Sequence, residues 1–174
     1  MLEINPDGYV VGEVWEDASN KISYGVRRKY FSDGELDSVM NYVFKNAIIG
    51  YVKGSMSAND FANEIMTIAE NYPESSLHSL MNSLSTHDTP RILTCLSDSC
   101  EPISREEKAY YQMPSDLRCR AVERLYTAVL LQYTLPGTAC IYYGDEIGME
   151  GYEDPFNRGY YKWDSTDENI LSFF

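Results

Sequence analysis

Short apolar runs alternate with helix-patterned stretches along this whole chain, and that alternation limits its possible folds more than any other feature. Tyr9–Val14 is an apolar run of strand length. Leu36–Tyr42 reads as strand or helix by pattern alone, and Phe44–Val52 continues with helical spacing that stops before Gly54. Ser57 is placed to cap a helix in which Phe61, Ile65, Ile68 and Ala69 share a face, and Asn71-Tyr72-Pro73 ends it. Leu80–Leu84 is a strand. A long helix from about Asp116 to Thr134 gathers Leu117, Ala121, Leu125, Ala128, Val129 and Gln132 near one stripe, before Leu135-Pro136-Gly137 breaks it. Thr138–Tyr143 is the last strand, and Glu168–Phe174 opens a further helix. The stretches 17–34 and 148–163 read as loops, and 95–116 as a polar, acid-rich excursion. Strand, loop and helix repeated in this way predict βα units and parallel pairing. Four such strands make half of a (β/α)8 barrel, a fold that needs about 250 residues when complete. A small doubly wound sheet is the alternative, but no Gly-x-Gly-x-x-Gly follows any strand, so nucleotide binding has no support.

Two of the strands lead into carboxylates. Tyr9–Val11 runs into Gly12-Glu13-Val14-Trp15, and Leu80–Leu84 runs into Thr86-His87-Asp88. The carboxyl ends of parallel strands are where α/β barrels place their chemistry. Two acids there can protonate a glycosidic oxygen and stabilise an oxocarbenium-like transition state. Val14 and Trp15 are expected to shield Glu13 partly from water, which suits a proton donor. Asp88-Thr89-Pro90 would also serve as an ordinary helix N-cap. Asp145 and Glu146 read as structural acids that hold the loop after the last strand. The run Arg27-Arg28-Lys29 reads as a solvated loop face.

Composition narrows the function. Fourteen basic residues against 27 acidic ones give a net charge of −13, which argues against nucleic acid and anionic membrane surfaces and leaves a neutral sugar unaffected. Fifteen tyrosines and two tryptophans suit packing against sugar rings, although they serve equally as core and rim. The cysteines at 95, 100, 119 and 140 match no zinc spacing, and with only two histidines no metal site and no cofactor is expected. Cys119 and Cys140 are expected to be buried thiols. Cys95 and Cys100 are close enough to pair in an oxidising compartment, but a reducing cytoplasm is the simpler reading. No run of 18 apolar residues predicts a membrane span, and Met1–Pro6 is not a basic-then-apolar leader.

Five motifs in order carry a family resemblance. They are Gly12-Glu13-Val14-Trp15-x-Asp17-Ala18, Asp37-Ser38-Val39-Met40-Asn41-Tyr42, His87-Asp88-Thr89-Pro90-Arg91, Pro136–Met149 and Asp154-Pro155-Phe156-Asn157-Arg158. Together they resemble the second half of an α-amylase-family catalytic barrel, nearest to its neopullulanase/cyclomaltodextrinase branch. The resemblance implies a partial TIM barrel over residues 1–174, roughly strands 5 to 8 with their helices. It also implies a retaining α-glucan hydrolase acting on starch-derived oligosaccharides, cyclodextrins or pullulan. Glu13 would be the general acid/base and Asp88 the transition-state stabiliser. His87 would hydrogen-bond the sugar in the central subsite, Asp154 and Arg158 would contact it on the non-reducing side, and Trp15 and Tyr42 would line the cleft.

The family's Asp nucleophile, with an Arg two residues ahead of it, has no match in this chain, nor does its Asp-x-x-x-Asn-His motif. The first half-barrel and the C-terminal β-domain are likewise not represented, so the isolated chain is expected to be inactive. Glu16 stands where the branch usually has His. The expected partner is an α-glucan oligosaccharide, with self-association into a dimer or larger through open barrel edges. The alternative is a non-catalytic carbohydrate-binding or self-assembling half-barrel scaffold.

Overall fold

The structure, a computed structural model, describes residues 5, 7–32, 34–98 and 103–174. The strands are β1 (Val11–Gly12), β2 (Ile22–Ser23), β3 (Val26–Arg27), β4 (Ser38–Val39), β5 (Met81–Ser83) and β6 (Thr138–Cys140). The helices are α1 (Tyr42–Val52), α2 (Ala58–Asn71), α3 (Glu74–His78), α4 (Ile92–Leu96), α5 (Arg105–Lys108), α6 (Ser115–Thr134) and α7 (Glu168–Leu171). Short 3-10 turns follow at Asp145–Ile147 and Phe156–Arg158.

Four strands form a parallel arc in the order β1, β4, β5, β6. Val11 pairs with Ser38 and Gly12 with Val39. A bridge from Met40 to Met81 joins β4 to β5. Met81, Asn82 and Ser83 then pair with Thr138, Ala139 and Cys140. Helices cross over between β4 and β5 and between β5 and β6, whereas the segment from β1 to β4 carries the β2–β3 hairpin and no helix. This is the partial barrel that the alternating pattern predicts, and the ambiguous run Leu36–Tyr42 resolves as strand β4 leading directly into α1. Asn41 makes that junction: its side chain accepts from Phe44 N at 3.2 Å and donates to Asn82 Oδ1 at 2.8 Å. Gly137 makes the α6–β6 corner at φ +119°, and a Cβ there would lie 2.7 Å from Asn82 Nδ2.

Two clusters bury the helix faces. Ile48, Leu84, Ile92, Leu93, Leu96, Leu125, Val129 and Ile170 form one; Val14, Val39, Phe44, Ile65, Ile68 and Leu80 belong to the other. Ala121, Leu125, Ala128, Val129 and Gln132 are the buried residues of α6, matching the expected stripe apart from half-buried Leu117. Gln132 belongs there because its Nε2 donates to Asn82 O at 2.9 Å and Cys140 O at 3.1 Å, tying the helix to both strands. Lys45 is also buried on α1, and burial pushes its ammonium below the usual lysine range.

Three expectations need correction. The stretch 17–34 is not a plain loop: β2 and β3 form an antiparallel hairpin whose turn residues Tyr24 and Gly25 both have positive φ, +54° and +75°. Cys119 is exposed, because it sits two residues, about 200° of helix turn, from the buried Ala121. Cys140 is only half-buried. The suggested Cys95–Cys100 pairing falls on Cys100, outside the described residues. Among the described residues no helix is long and apolar enough to cross a membrane.

Candidate active site

Glu13 directly follows β1, and His87 and Asp88 follow β5 at the same end of the arc. The Oε2 of Glu13 lies 4.0 Å from His87 Nε2, and that nitrogen lies 3.4 Å from Asp88 Oδ2. One ligand atom from each of the three falls within 4.8 Å of the others. The three are also close enough together to share a divalent cation.

Support comes from below. Tyr42, the first residue of α1, donates its hydroxyl to Glu13 Oε1 at 2.9 Å and lies 3.3 Å from Thr86 Oγ1. Its phenol is pushed up to about 12, chiefly by burial and further by the bond to Glu13. The Trp15 ring stacks flat on it, with centroids 4.0 Å apart. Tyr42 therefore lies beneath the cleft rather than on its wall, with only 2% of its surface exposed, whereas Trp15 is 48% exposed. Glu13 is less shielded than expected, since its side chain keeps 37% of its exposure: Val14 turns into the core and Trp15 lies over Tyr42.

The loop after β6 closes the far side. Arg158 Nη2 donates to Asp88 Oδ1 at 3.2 Å, and its Nε donates to His87 O at 3.0 Å and forms an ion pair with Asp154 Oδ1 at 2.7 Å. Asp88 therefore lies between the Arg158 guanidinium and the His87 ring. It caps no helix, because α4 starts four residues later with no side-chain cap. All seven residues singled out in the sequence converge on this one site.

Two supporting residues were quoted in motifs but given no part. Asn157 is fully buried, and its Nδ2 donates to Thr86 O at 3.1 Å and to His87 O and Thr89 O at 2.8 Å each. It pins the backbone that presents His87 and Asp88. Arg91 is also fully buried. Its guanidinium lies over the rings of both Tyr142 and Tyr143, 4.6 and 4.5 Å from their centroids, donates to Tyr143 O, and sits 3.5 Å from Asp145 Oδ1. Burial pushes the Asp145 carboxyl up to about 7, with Ser85 and Arg91 opposing. Glu146 Oε2 accepts from Gly144 N at 2.7 Å, so both acids hold the loop, as expected. The motif positions were the only signal for Arg91 and Asn157. Glu16, in place of His, pairs with Lys21.

The chain is similar to known proteins over nearly its whole length. A family profile described as "Alpha amylase, catalytic domain" matches residues 1–172. An amylopullulanase from Thermoanaerobacter thermohydrosulfuricus is 35% identical over 98% of this chain and 11% of its own length. Neopullulanase 2 from Thermoactinomyces vulgaris is 34% identical over 97% of this chain and 24% of its own. A solved cyclomaltodextrinase structure superposes with a TM-score of 0.72 at 30% identity, covering 99% of this chain and 25% of that one. The chain thus spans about a quarter or less of the length of these relatives.

Proposed function

The chain belongs to the α-amylase family of glycoside-hydrolase catalytic domains, and from that premise we propose that it carries the acid/base and transition-state-stabilising side of a retaining α-glucan hydrolase. The observation that carries this reading is the convergence of Glu13, His87 and Asp88, with one polar atom of each within 4.8 Å.

In this reading Glu13 gives its proton to the glycosidic oxygen as the bond to the leaving sugar breaks. The same carboxylate then takes a proton from the attacking water. Tyr42, donating to Oε1, leaves Oε2 on the His87 side for that exchange. Asp88 binds ring hydroxyls, and its charge gains most as positive charge develops at the transition state. Arg158 and His87 fix its two oxygens in place. His87 itself bonds the sugar, Trp15 offers an exposed aromatic face to the ring, and Asp154 with Arg158 borders the non-reducing side. No residue of the 174 matches the family's nucleophile motif, so the chain by itself binds α-glucans without turning them over.

The test is calorimetric titration with maltotriose, together with reducing-sugar release from cyclodextrin and pullulan. We expect binding that weakens at least tenfold in Asp88→Asn, about 1.4 kcal/mol, and no sugar release. Absence of binding, or binding indifferent to Asp88→Asn, would overturn the site. Release that disappears in Glu13→Gln would overturn the inactivity and place a nucleophile within this chain.

A further inference from the structure

Arg27 and Arg28 play no part in the chemistry above, yet they depart from how this chain treats its other arginines. Arg91, Arg118, Arg120, Arg124 and Arg158 each lie within 4.0 Å of a carboxylate. Arg105 lies over the Phe156 ring. Among the described residues Arg27 and Arg28 have no carboxylate partner, although acids outnumber bases 27 to 14. Arg27 is instead oriented by neutral acceptors, Ser19 O at 3.2 Å and Asn20 Oδ1 at 3.1 Å.

Both arginines border a cavity of about 430 Å³, within the range of small-molecule sites. Ser19, Tyr30, Phe31 and Asn71 line it as well. Its base is built rather than loose. Phe31 packs on Tyr72 at 4.8 Å, and the Tyr72 hydroxyl accepts from Ala18 N at 2.8 Å. The nearby acid Asp17 has both oxygens engaged: Oδ1 by Ser19 N and Oγ, Oδ2 by Asn71 Nδ2.

We propose that this cavity binds a phosphate group, free or as the monoester of a saccharide, with Arg27 and Arg28 as its ligands. Guanidinium forks match phosphate oxygens two at a time, and two of them balance a dianion. The net negative charge of the chain does not prevent this, because screening beyond about 8 Å leaves the adjacent cations dominant. Aromatic Tyr30 and Phe31 beside the cations leave an apolar wall for a sugar ring. This reading stands apart from the cleft chemistry, and its failure is separable from failure there.

The experiment titrates the chain with inorganic phosphate, with a maltooligosaccharide carrying one 6-phosphate, and with neutral maltotriose. We expect both phosphate probes to bind and to lose at least tenfold in affinity in the double variant Arg27→Gln/Arg28→Gln. Arg28→Lys, which keeps the charge and loses the fork, should fall in between. Maltotriose binding and thermal melting of the double variant should match wild type, which shows that the fold is intact. A tighter ester than free phosphate assigns the site to a phosphorylated saccharide, and equal affinities assign it to the free anion. No phosphate binding, or binding unchanged in the double variant, overturns the proposal.

Discussion

Tyr42 holds Glu13 through a 2.9 Å hydrogen bond from a phenol that is almost wholly buried, so the acid at the end of β1 is positioned by the first residue of the first long helix. We expect Tyr42→Phe to cost about 1 kcal/mol, the net worth of one such bond, without change in the packing beneath Trp15. Urea unfolding measures the cost, and Trp15 fluorescence reports whether the stack persists.

Asn157 satisfies three backbone carbonyls from one amide group. Asn157→Ala strands these acceptors in the interior and should destabilise the protein by about 2–3 kcal/mol. Maltotriose binding should weaken with it, because the same carbonyls carry His87 and Asp88. An unchanged unfolding midpoint would show that the loop holds itself.

The buried Arg91–Asp145 pair predicts a pH dependence. Asp145 sits at about 7 in the folded protein and near 3.9 when unfolded. Between those values the folded state holds a proton that the unfolded state has released, so the free energy of unfolding falls as pH rises. The contribution is complete below about pH 4 and gone above about pH 7, with a slope on the order of 1 kcal/mol per pH unit between. Denaturant unfolding from pH 4.5 to 7.5 should show that slope in the wild type and lose it in Asp145→Asn.

Strands β1 and β6 each pair on one side only among the described residues, and Ile141 and Tyr143 beyond β6 are 41% and 40% exposed. Open edges and exposed apolar surface favour association. We expect the 174-residue chain to run as a dimer or larger in light scattering. A monomer of 19.9 kDa would refute it.

Leu125 is fully buried at the centre of the α6 stripe. Leu125→Ala should cost about 2–5 kcal/mol, read as a lowered thermal midpoint. A cost under 1 kcal/mol would mean that α6 is not a core element.

What could be read from the residues alone was local in origin. The stripe Ala121, Leu125, Ala128, Val129, Gln132 follows from helix periodicity, the cap at Ser57 from a side chain reaching its own helix, and Glu13 and Asp88 from acids at the ends of apolar runs. The hairpin at Ile22–Arg27 escaped because its turn is Tyr24-Gly25, and tyrosine is a poor signal for a positive φ. Cys119 was misplaced because the helix as a whole is rich in apolar residues, while its own angle, between Arg118 and Arg120, faces water.

Tertiary structure alone decided the rest. Asn157 works on carbonyls 68 to 71 residues away, and Arg91 meets Asp145 across 54 positions. Charged and amide side chains ordinarily seek solvent, so no periodicity marks them for burial. The sequence by itself determined the βα order, the helix faces and which acids end the strands, because those depend on near neighbours. Closure of the strands into one arc decided the distances among Glu13, His87 and Asp88, the burial of Arg91 and Asn157, and the depth of Tyr42, because each depends on segments that only the folded chain brings together.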